Sequence, residues 1–183
     1  MEEYAHILDY LPKGLPGGSN FAKREPLCYA VGEVEFKLFE LVPKANATMN
    51  IGDRVYIGKD PNERLQIDHV KRRVGFEELT QSAKLELEYV ITDIVMADQK
   101  RFVRFYNDAQ AISLRKHMLE ELPGLGKKTM LAIIDERKKG EFADFADLGK
   151  RVPLAKGPEK NIIKRIVLEL SDPERKHYIF VSR

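Results

Sequence analysis

The pattern of apolar and polar positions changes period once along the chain, near Val74. Before that point apolar residues alternate in short runs. Tyr4–Tyr10 predicts a first strand, and Leu11–Pro26, full of Gly and Pro, predicts a turn-rich connection. Leu27–Val42 is rich in Val, Phe and Leu, with Gly32 expected at a bulge or bend. Ile51–Gly58 opens on a tight Gly-Asp turn and runs into a strand with Val55 and Ile57 on one face. After a polar loop, Lys59–Arg64, the stretch Leu65–Val74 alternates again through Leu65 and Ile67. Several short strands divided by Gly turns predict a small barrel.

Beyond Val74 the spacing becomes three or four, as one face of a helix requires. Leu79, Ala83, Leu87, Val90, Ile91, Ile94 and Val95 predict a helix within Phe76–Asp98, and Phe102, Val103 and Tyr106 mark a second in Asp98–Tyr106. Leu114, Met118, Leu119 and Leu122 predict a helix over Ser113–Leu122, stopped by Pro123 because the residue before proline is pushed out of helical geometry. Phe142, Phe145, Leu148 and Val152 mark a short helix. The last helix carries the stripe Ile162, Ile163, Ile166, Val167 and Leu170, with Pro158 in its first turn and Ser171-Asp172-Pro173 at its end. His177–Val181 reads as a strand that returns to the barrel. The expected fold class is therefore α+β. An N-terminal OB-like β-barrel occupies residues 1–74, with 177–182 as its candidate closing strand, and a helical domain occupies 75–171.

Composition narrows the class without naming a role. Apolar residues make up 43% and charged residues 33%, which describes a folded chain rather than a disordered one. The single cysteine, Cys28, excludes an internal disulfide and a Cys-based zinc site within one chain, and its apolar strand context predicts a buried, inert thiol. Met1–Leu11 contains Glu2, Glu3 and Asp9 and lacks a secretory layout. No apolar run reaches the roughly 20 residues that cross a bilayer, so no membrane is expected and the cytoplasm is the expected compartment.

Charge distribution adds more. The net charge is +2, but residues 1–100 carry 13 Lys/Arg against 17 Asp/Glu and residues 101–183 carry 18 against 12. The basic second half is where a polyanion would dock.

The segment Leu122-Pro123-Gly124-Leu125-Gly126-Lys127-Lys128-Thr129 concentrates the candidate chemistry. Gly124 and Gly126 allow a tight hairpin and let a phosphate approach the main chain, while Leu125 plugs the space between the flanking helices. Amides at the start of the second helix have no intrahelical acceptor, and the helix dipole adds partial positive charge there. Lys127 and Lys128 oppose that dipole, at a cost of a few tenths of a kcal/mol each. A bound anion would remove the conflict.

This segment, with Lys127–Lys138, resembles the helix-hairpin-helix of DNA-repair and recombination proteins, here over Leu114–Lys138. The resemblance implies that Gly124, Leu125, Gly126, Lys127, Lys128 and Thr129 hold a backbone phosphate, with a monovalent cation on the hairpin carbonyls as the one candidate cofactor. Met130 departs from the motif's usual Ala, which implies slightly wider helix spacing. Val152–Pro158 followed by Lys160–Ile166 resembles a degenerate second copy in which only Gly157 remains. It would be structural, or offer Lys156, Lys160 and Lys164 as weaker contacts.

Ile51–Ile57, Ile67–Arg73, Phe105–Ala109 and Leu119–Lys128 together resemble a family of uncharacterised archaeal proteins usually described as RNA- or nucleotide-binding, a role itself inferred. The likeness spans nearly the whole chain. It implies an OB-like barrel joined to a helix-hairpin-helix domain and supplies no reaction.

Other residues have plainer readings. Lys71, Arg72 and Arg73 form a second basic cluster, either a nucleic-acid contact or a solvated face. Tyr29, Phe36, Phe39 and Tyr56 would be stacking platforms or, more commonly in a small barrel, core. His6, His69, His117 and His177 are scattered, and no spacing assembles a metal pair, a nucleophile or a magnesium-binding carboxylate cluster. The expectation is a non-catalytic nucleic-acid-binding protein, RNA slightly ahead of duplex DNA, with the oligomeric state open. The alternatives are a protein-interaction adaptor docking through the hairpin and a metal-dependent nuclease whose site forms only on folding.

Overall fold

A computed structural model describes residues 1–16 and 24–183. Residues 17–23 of the expected turn-rich stretch lie outside the described residues. The chain is of mixed α and β type and divides into two compact units, residues 1–90 with 169–183 and residues 91–168. The change of period at Val74 falls within the first unit, and both boundaries fall inside helices.

The first unit is built on a five-stranded antiparallel sheet in the order β4-β1-β2-β3-β5. Its strands are β1 (Tyr4–Leu11), β2 (Leu27–Gly32), β3 (Leu38–Pro43), β4 (Arg54–Tyr56) and β5 (Ile67–Arg73). Strand alternation places Ala5, Ile7, Cys28, Ala30, Phe39, Leu41, Val55 and Ile67 in one buried cluster with Met49 and Ile57. β2 is buried at every position, so it needs apolar residues on both faces, and Leu27–Val31 supplies them. Burial pushes the Cys28 thiol up to about 12, with a smaller contribution from the charge of Asp9. That leaves it protonated and unreactive near neutrality.

Leu27–Val42 is a hairpin of two strands. Gly32 stays in register opposite Ala5 and closes β2 at the bend. It is glycine for close approach: a Cβ there would lie 2.1 Å from the Glu2 carboxyl group. That carboxylate accepts the amides of Val34 at 2.9 Å and Glu35 at 2.6 Å, which organises the turn. The register shifts lie elsewhere, between Ile7 and Asp9 in β1 and at two places along the β3–β5 pair.

The helical stripe after Val74 forms a 3₁₀ turn at Phe76–Glu78 and then α1 (Gln81–Ala97). All seven expected apolar positions from Leu79 to Val95 are buried. At the start of α1 the Thr80 hydroxyl donates to Asp9 at 2.6 Å and accepts the Ala83 amide at 3.1 Å.

One expectation about this unit is corrected. His177–Val181 is not a strand. The amides of Ile179, Phe180 and Val181 instead converge on Glu169 Oε1 at 2.6, 3.1 and 3.3 Å, and the Ser182 amide donates to the Glu35 carbonyl at 3.0 Å. A single carboxylate satisfies three successive amides, so the segment curls around it and cannot lie flat as a ladder.

The second unit carries α2 (Gln99–Asp108), α3 (Lys127–Arg137), α4 (Phe145–Arg151) and most of α5 (Pro158–Ser171). Phe102, Val103, Tyr106, Ile133, Phe142, Phe145, Leu148, Ile162 and Ile166 are buried in it. Tyr106 ties α2 to the start of α5, its hydroxyl donating to the Pro158 carbonyl at 2.6 Å. Asn107 brackets Phe142 by donating to its carbonyl at 3.0 Å and accepting its amide at 2.8 Å. Asp144 caps α4 by accepting the Asp147 amide at 2.7 Å.

Candidate nucleic-acid interface

The segment ahead of α3 is not the expected helix over Ser113–Leu122. Ile112 and Ser113 donate their amides to the Lys116 carbonyl at 2.8 and 3.0 Å, and Ala111 forms a bridge with His117. A 3₁₀ turn then covers Met118–Glu121. The cause is a reciprocal cap: His117 Nδ1 accepts the Leu119 amide at 3.0 Å, and Glu120 Oε2 accepts the His117 amide at 2.7 Å. This box fixes the start at Met118, which suffices to bury Leu119 and Leu122. Leu114, left at the tip of the preceding loop, is fully exposed.

The hairpin itself forms as its residues require. The Leu125 amide donates to the Leu122 carbonyl at 3.3 Å across Pro123-Gly124, and Gly124 takes φ +78°. A glycine at the third position of a type II turn meets that demand. Asn161 of α5 reinforces the turn, its Nδ2 donating to the Pro123 carbonyl at 2.7 Å. A Cβ on Gly124 would stand 3.3 Å from that same Nδ2. Arg165, one turn further along α5 and 1% exposed, donates to the Glu121 carbonyl at 3.0 Å and to Glu121 Oε2 at 3.2 Å. Lys116 holds the other Glu121 oxygen at 2.5 Å. These cations, Lys116 first, keep the Glu121 carboxyl below its ordinary range.

Gly126 differs from Gly124. Its backbone is extended at φ −74°, ψ 161°, it is exposed, and nothing lies within 4 Å of a Cβ built on it. Neither backbone strain nor internal packing calls for glycine there. It precedes α3, whose first turn has no side-chain cap and no acidic residue. Lys127 and Lys128 are exposed, and neither has a carboxylate partner among the described residues. Thr129 and Leu125 are half-buried, and Met130 fits within the core at 5% exposure.

The secondary basic residues are distributed unevenly. Lys156, Lys160 and Lys164 are exposed, the last two immediately before Asn161 and Arg165 on α5. The second glycine turn, with Gly157 at φ +61°, leads into a helix whose first turn holds Glu159. An acid already complements that dipole, which leaves less for an external anion than at α3. In the sheet unit, Arg72 is bound to Glu40 at 2.8 Å and Glu78 at 2.7 Å, and Lys71 lies 3.6 Å from Glu40. Arg73 has no carboxylate partner among the described residues. Tyr29 and Phe36 are core residues at 2% and 0% exposure. Phe39 is also mostly buried, and Tyr56 packs edge-on against Tyr4 at 5.4 Å. No group of three His, Cys, Asp or Glu among the described residues is placed to hold a metal ion, and no helix among them is long and apolar enough to cross a membrane.

The hairpin cap is sensitive to protons. Desolvation, followed by the charge of Arg137, holds His117 below its ordinary value, and Nδ1 must be unprotonated to accept the Leu119 amide. A group whose value is depressed on folding contributes stability above its unfolded value near 6.5 and loses it as pH falls. Glu121, also depressed, contributes above about 4.5 and follows the same direction. An NMR titration of the His117 ring is expected to show a midpoint below 6.5. Exchange protection of the Leu119 amide should fall on acidification through that midpoint. A midpoint above 6.5 would rule out the cap as drawn.

A five-stranded antiparallel sheet accompanied by a helical unit with a glycine hairpin defines a mixed α/β protein class. The family model described as a protein of unknown function, DUF655, matches residues 1–182, and the chain belongs to that family. It is 45% identical over 182 residues to an uncharacterised protein of Methanocaldococcus jannaschii, covering 99% of this chain and 80% of that one. The crystal structure of Af1531 from Archaeoglobus fulgidus, of the same family, matches with a TM-score of 0.91 and 44% identity, covering 99% of this chain and 100% of that one.

Two residues that organise the hairpin, Asn161 and Arg165, fall within the degenerate second copy over Lys160–Ile166, where neither is expected to have a role at the first hairpin. Arg165 leaves a signal: it stands three residues after Ile162 and one before Ile166, on the inward stripe of α5, where an unpaired cation would be costly. Asn161 leaves none that distinguishes it from a surface amide.

Proposed function

We propose that this protein grips the phosphate backbone of nucleic acid, non-catalytically and with little sequence preference, through the helix-hairpin-helix-like turn at Leu122–Thr129. The single observation that carries the reading is Gly126. Its exposed, extended backbone with open space at Cβ has no internal reason to be glycine, whereas a phosphate approaching the amides of the first turn of α3 needs that space. Lys127 and Lys128 supply full charges at the same end, where no acidic residue competes. The sheet favours RNA slightly over duplex DNA: five short antiparallel strands whose edges β4 and β5 are not joined suit an OB-like reading. A monovalent cation on the hairpin carbonyls is part of the proposal.

The test is Gly126→Asp. A carboxylate at this position caps the amides that a phosphate would occupy and complements the dipole, so stability is expected to rise by about 0.5–1 kcal/mol. Affinity for RNA and DNA should fall at least tenfold in fluorescence anisotropy. Binding retained in a folded variant would remove the hairpin amides from the interface. The adaptor alternative is favoured by one observation, the exposed Ile112, Leu114 and Leu131 of the same unit. It predicts no binding to any bare polymer.

A further inference from the structure

The sheet unit holds a concavity of its own, about 410 Å³ in volume. That lies toward the lower end of the range for small-molecule sites. Phe39 of β3, Val70 of β5 and Ile57, just beyond β4, provide its apolar lining. The lining thus draws on one edge strand, β5, and on the segment that leaves the other, β4, and no ladder joins those two strands.

The charged lining is lopsided. Lys37, Lys59, Arg64 and Arg73, with the His69 ring, surround the concavity, against the single acid Glu2. The Glu2 carboxylate is already engaged by the amides of Val34 and Glu35. Lys37 is bound to Glu35 at 2.7 Å and His69 to Asp68 at 2.6 Å. Lys59, Arg64 and Arg73 have no carboxylate partner among the described residues. Arg64 donates one Nη1 bond, to the Asp68 carbonyl at 2.7 Å, while its Nε is buried without an acceptor. By contrast the neighbouring Arg72 is neutralised by two carboxylates. Lys59 and Arg73 are uncompensated and Arg64 is only partly offset by the charge of Asp68, so the cations around this one concavity repel one another, and its low-dielectric walls focus their field. A multiply charged anion offering several acceptor oxygens would relieve the repulsion and satisfy the buried donor. Inorganic phosphate would leave much of the volume and all of the apolar lining unused.

We propose that this concavity binds a phosphate monoester with a nucleoside-sized body. Lys59, Arg64 and Arg73 engage the phosphate, and Phe39, Ile57 and Val70 lie against the body. The site is separate from the hairpin and does not depend on the function proposed for it. The monoester has two sources, a free mononucleotide and the 5′-phosphorylated end of a single strand.

The experiment is a calorimetric titration of the full chain with adenosine 5′-monophosphate, adenosine, inorganic phosphate and a short 5′-phosphorylated RNA beside its 5′-hydroxyl counterpart. Lys59→Glu and Arg73→Glu, both at exposed positions, are compared with Lys127→Glu/Lys128→Glu. The expected result is one site for the monophosphate or the phosphorylated end, the tighter of the two identifying the source. Affinity for adenosine 5′-monophosphate should be at least tenfold tighter than for adenosine, at least tenfold weaker in each pocket variant, and unchanged in the hairpin variant. For RNA the hairpin variant should bind more weakly overall while keeping the ratio between the phosphorylated strand and its 5′-hydroxyl counterpart. Three results would each overturn the proposal. They are no binding of either monoester, inorganic phosphate binding as tightly as the nucleotide, or pocket variants that bind like the wild type.

Discussion

Lys127→Glu/Lys128→Glu is expected to weaken nucleic-acid binding on the order of 25- to 60-fold at 0.1 M salt, through lost counterion release alone. Each phosphate contact contributes about 0.9 to the salt slope on duplex DNA and about 0.7 on a single strand, so two contacts change the slope by roughly 1.4–1.8. The new negative charges add repulsion to that loss. Both side chains are exposed at the first turn of α3, where acids are favourable to the helix dipole. The variant should therefore fold at least as well as the wild type while binding far worse. Anisotropy titrations against duplex DNA, single-stranded RNA and a structured RNA at two salt concentrations measure both affinity and slope. An unchanged slope would remove both lysines from the interface, whatever happens to stability.

This substitution and Gly126→Asp separate two contributions that a phosphate would feel together. The lysines act as full charges, screened by salt. The amides act at short range, through geometry that Gly126 leaves open. Loss in both variants, with a salt slope changed chiefly in the lysine variant, is the pattern a backbone-phosphate grip produces. If wild type binds no bare polymer, the exposed Ile112, Leu114 and Leu131 make a partner protein the better ligand. A cleavage assay with added magnesium separates the nuclease alternative from simple binding.

The sequence made the periodic elements legible and left the polar contacts hidden. The continuous apolar run Leu27–Val31 and the three-four stripe from Leu79 to Val95 follow from burial, and burial is what the structure shows at those positions. The same logic fails at Ser113–Leu122. Leu114 has the right spacing for a helical face, but the His117–Glu120 box starts the turn at Met118 and leaves Leu114 in solvent. His177–Val181 fails for a similar reason: three amides find one carboxylate, Glu169, rather than a neighbouring strand. The cationic concavity was invisible because Lys59, Arg64 and Arg73 come from a loop and a strand that only the fold brings around one volume. The glycine hairpin was legible because its chemistry is contiguous. Which glycine the fold needs and which it leaves open was not, since that depends on Asn161, distant in sequence.

Arg165→Met is expected to destabilise the protein by about 3 kcal/mol, the lower end of the 3–5 kcal/mol seen when one partner of a buried ion pair is removed. Arg165 is 1% exposed and donates to both the carbonyl and the carboxylate of Glu121, so its loss strands a main-chain acceptor as well as a charge. Two features hold the cost at the lower end. Lys116 still neutralises the other Glu121 oxygen, and methionine fills part of the vacated space. For a chain of this length the loss corresponds to a midpoint lower by roughly 6–12 °C in calorimetry. Lys164→Met, one residue earlier and exposed, is the control and should stay within about 0.5 kcal/mol. Because Arg165 and Asn161 hold the Glu121 and Pro123 carbonyls on either side of Leu122, where the hairpin turn starts, the arginine variant should also lose protection of the Leu125 amide before global unfolding. A midpoint within 2 °C of the wild type would mean that packing around Leu119 and Leu122 alone holds the hairpin and that Arg165 is a passenger on α5.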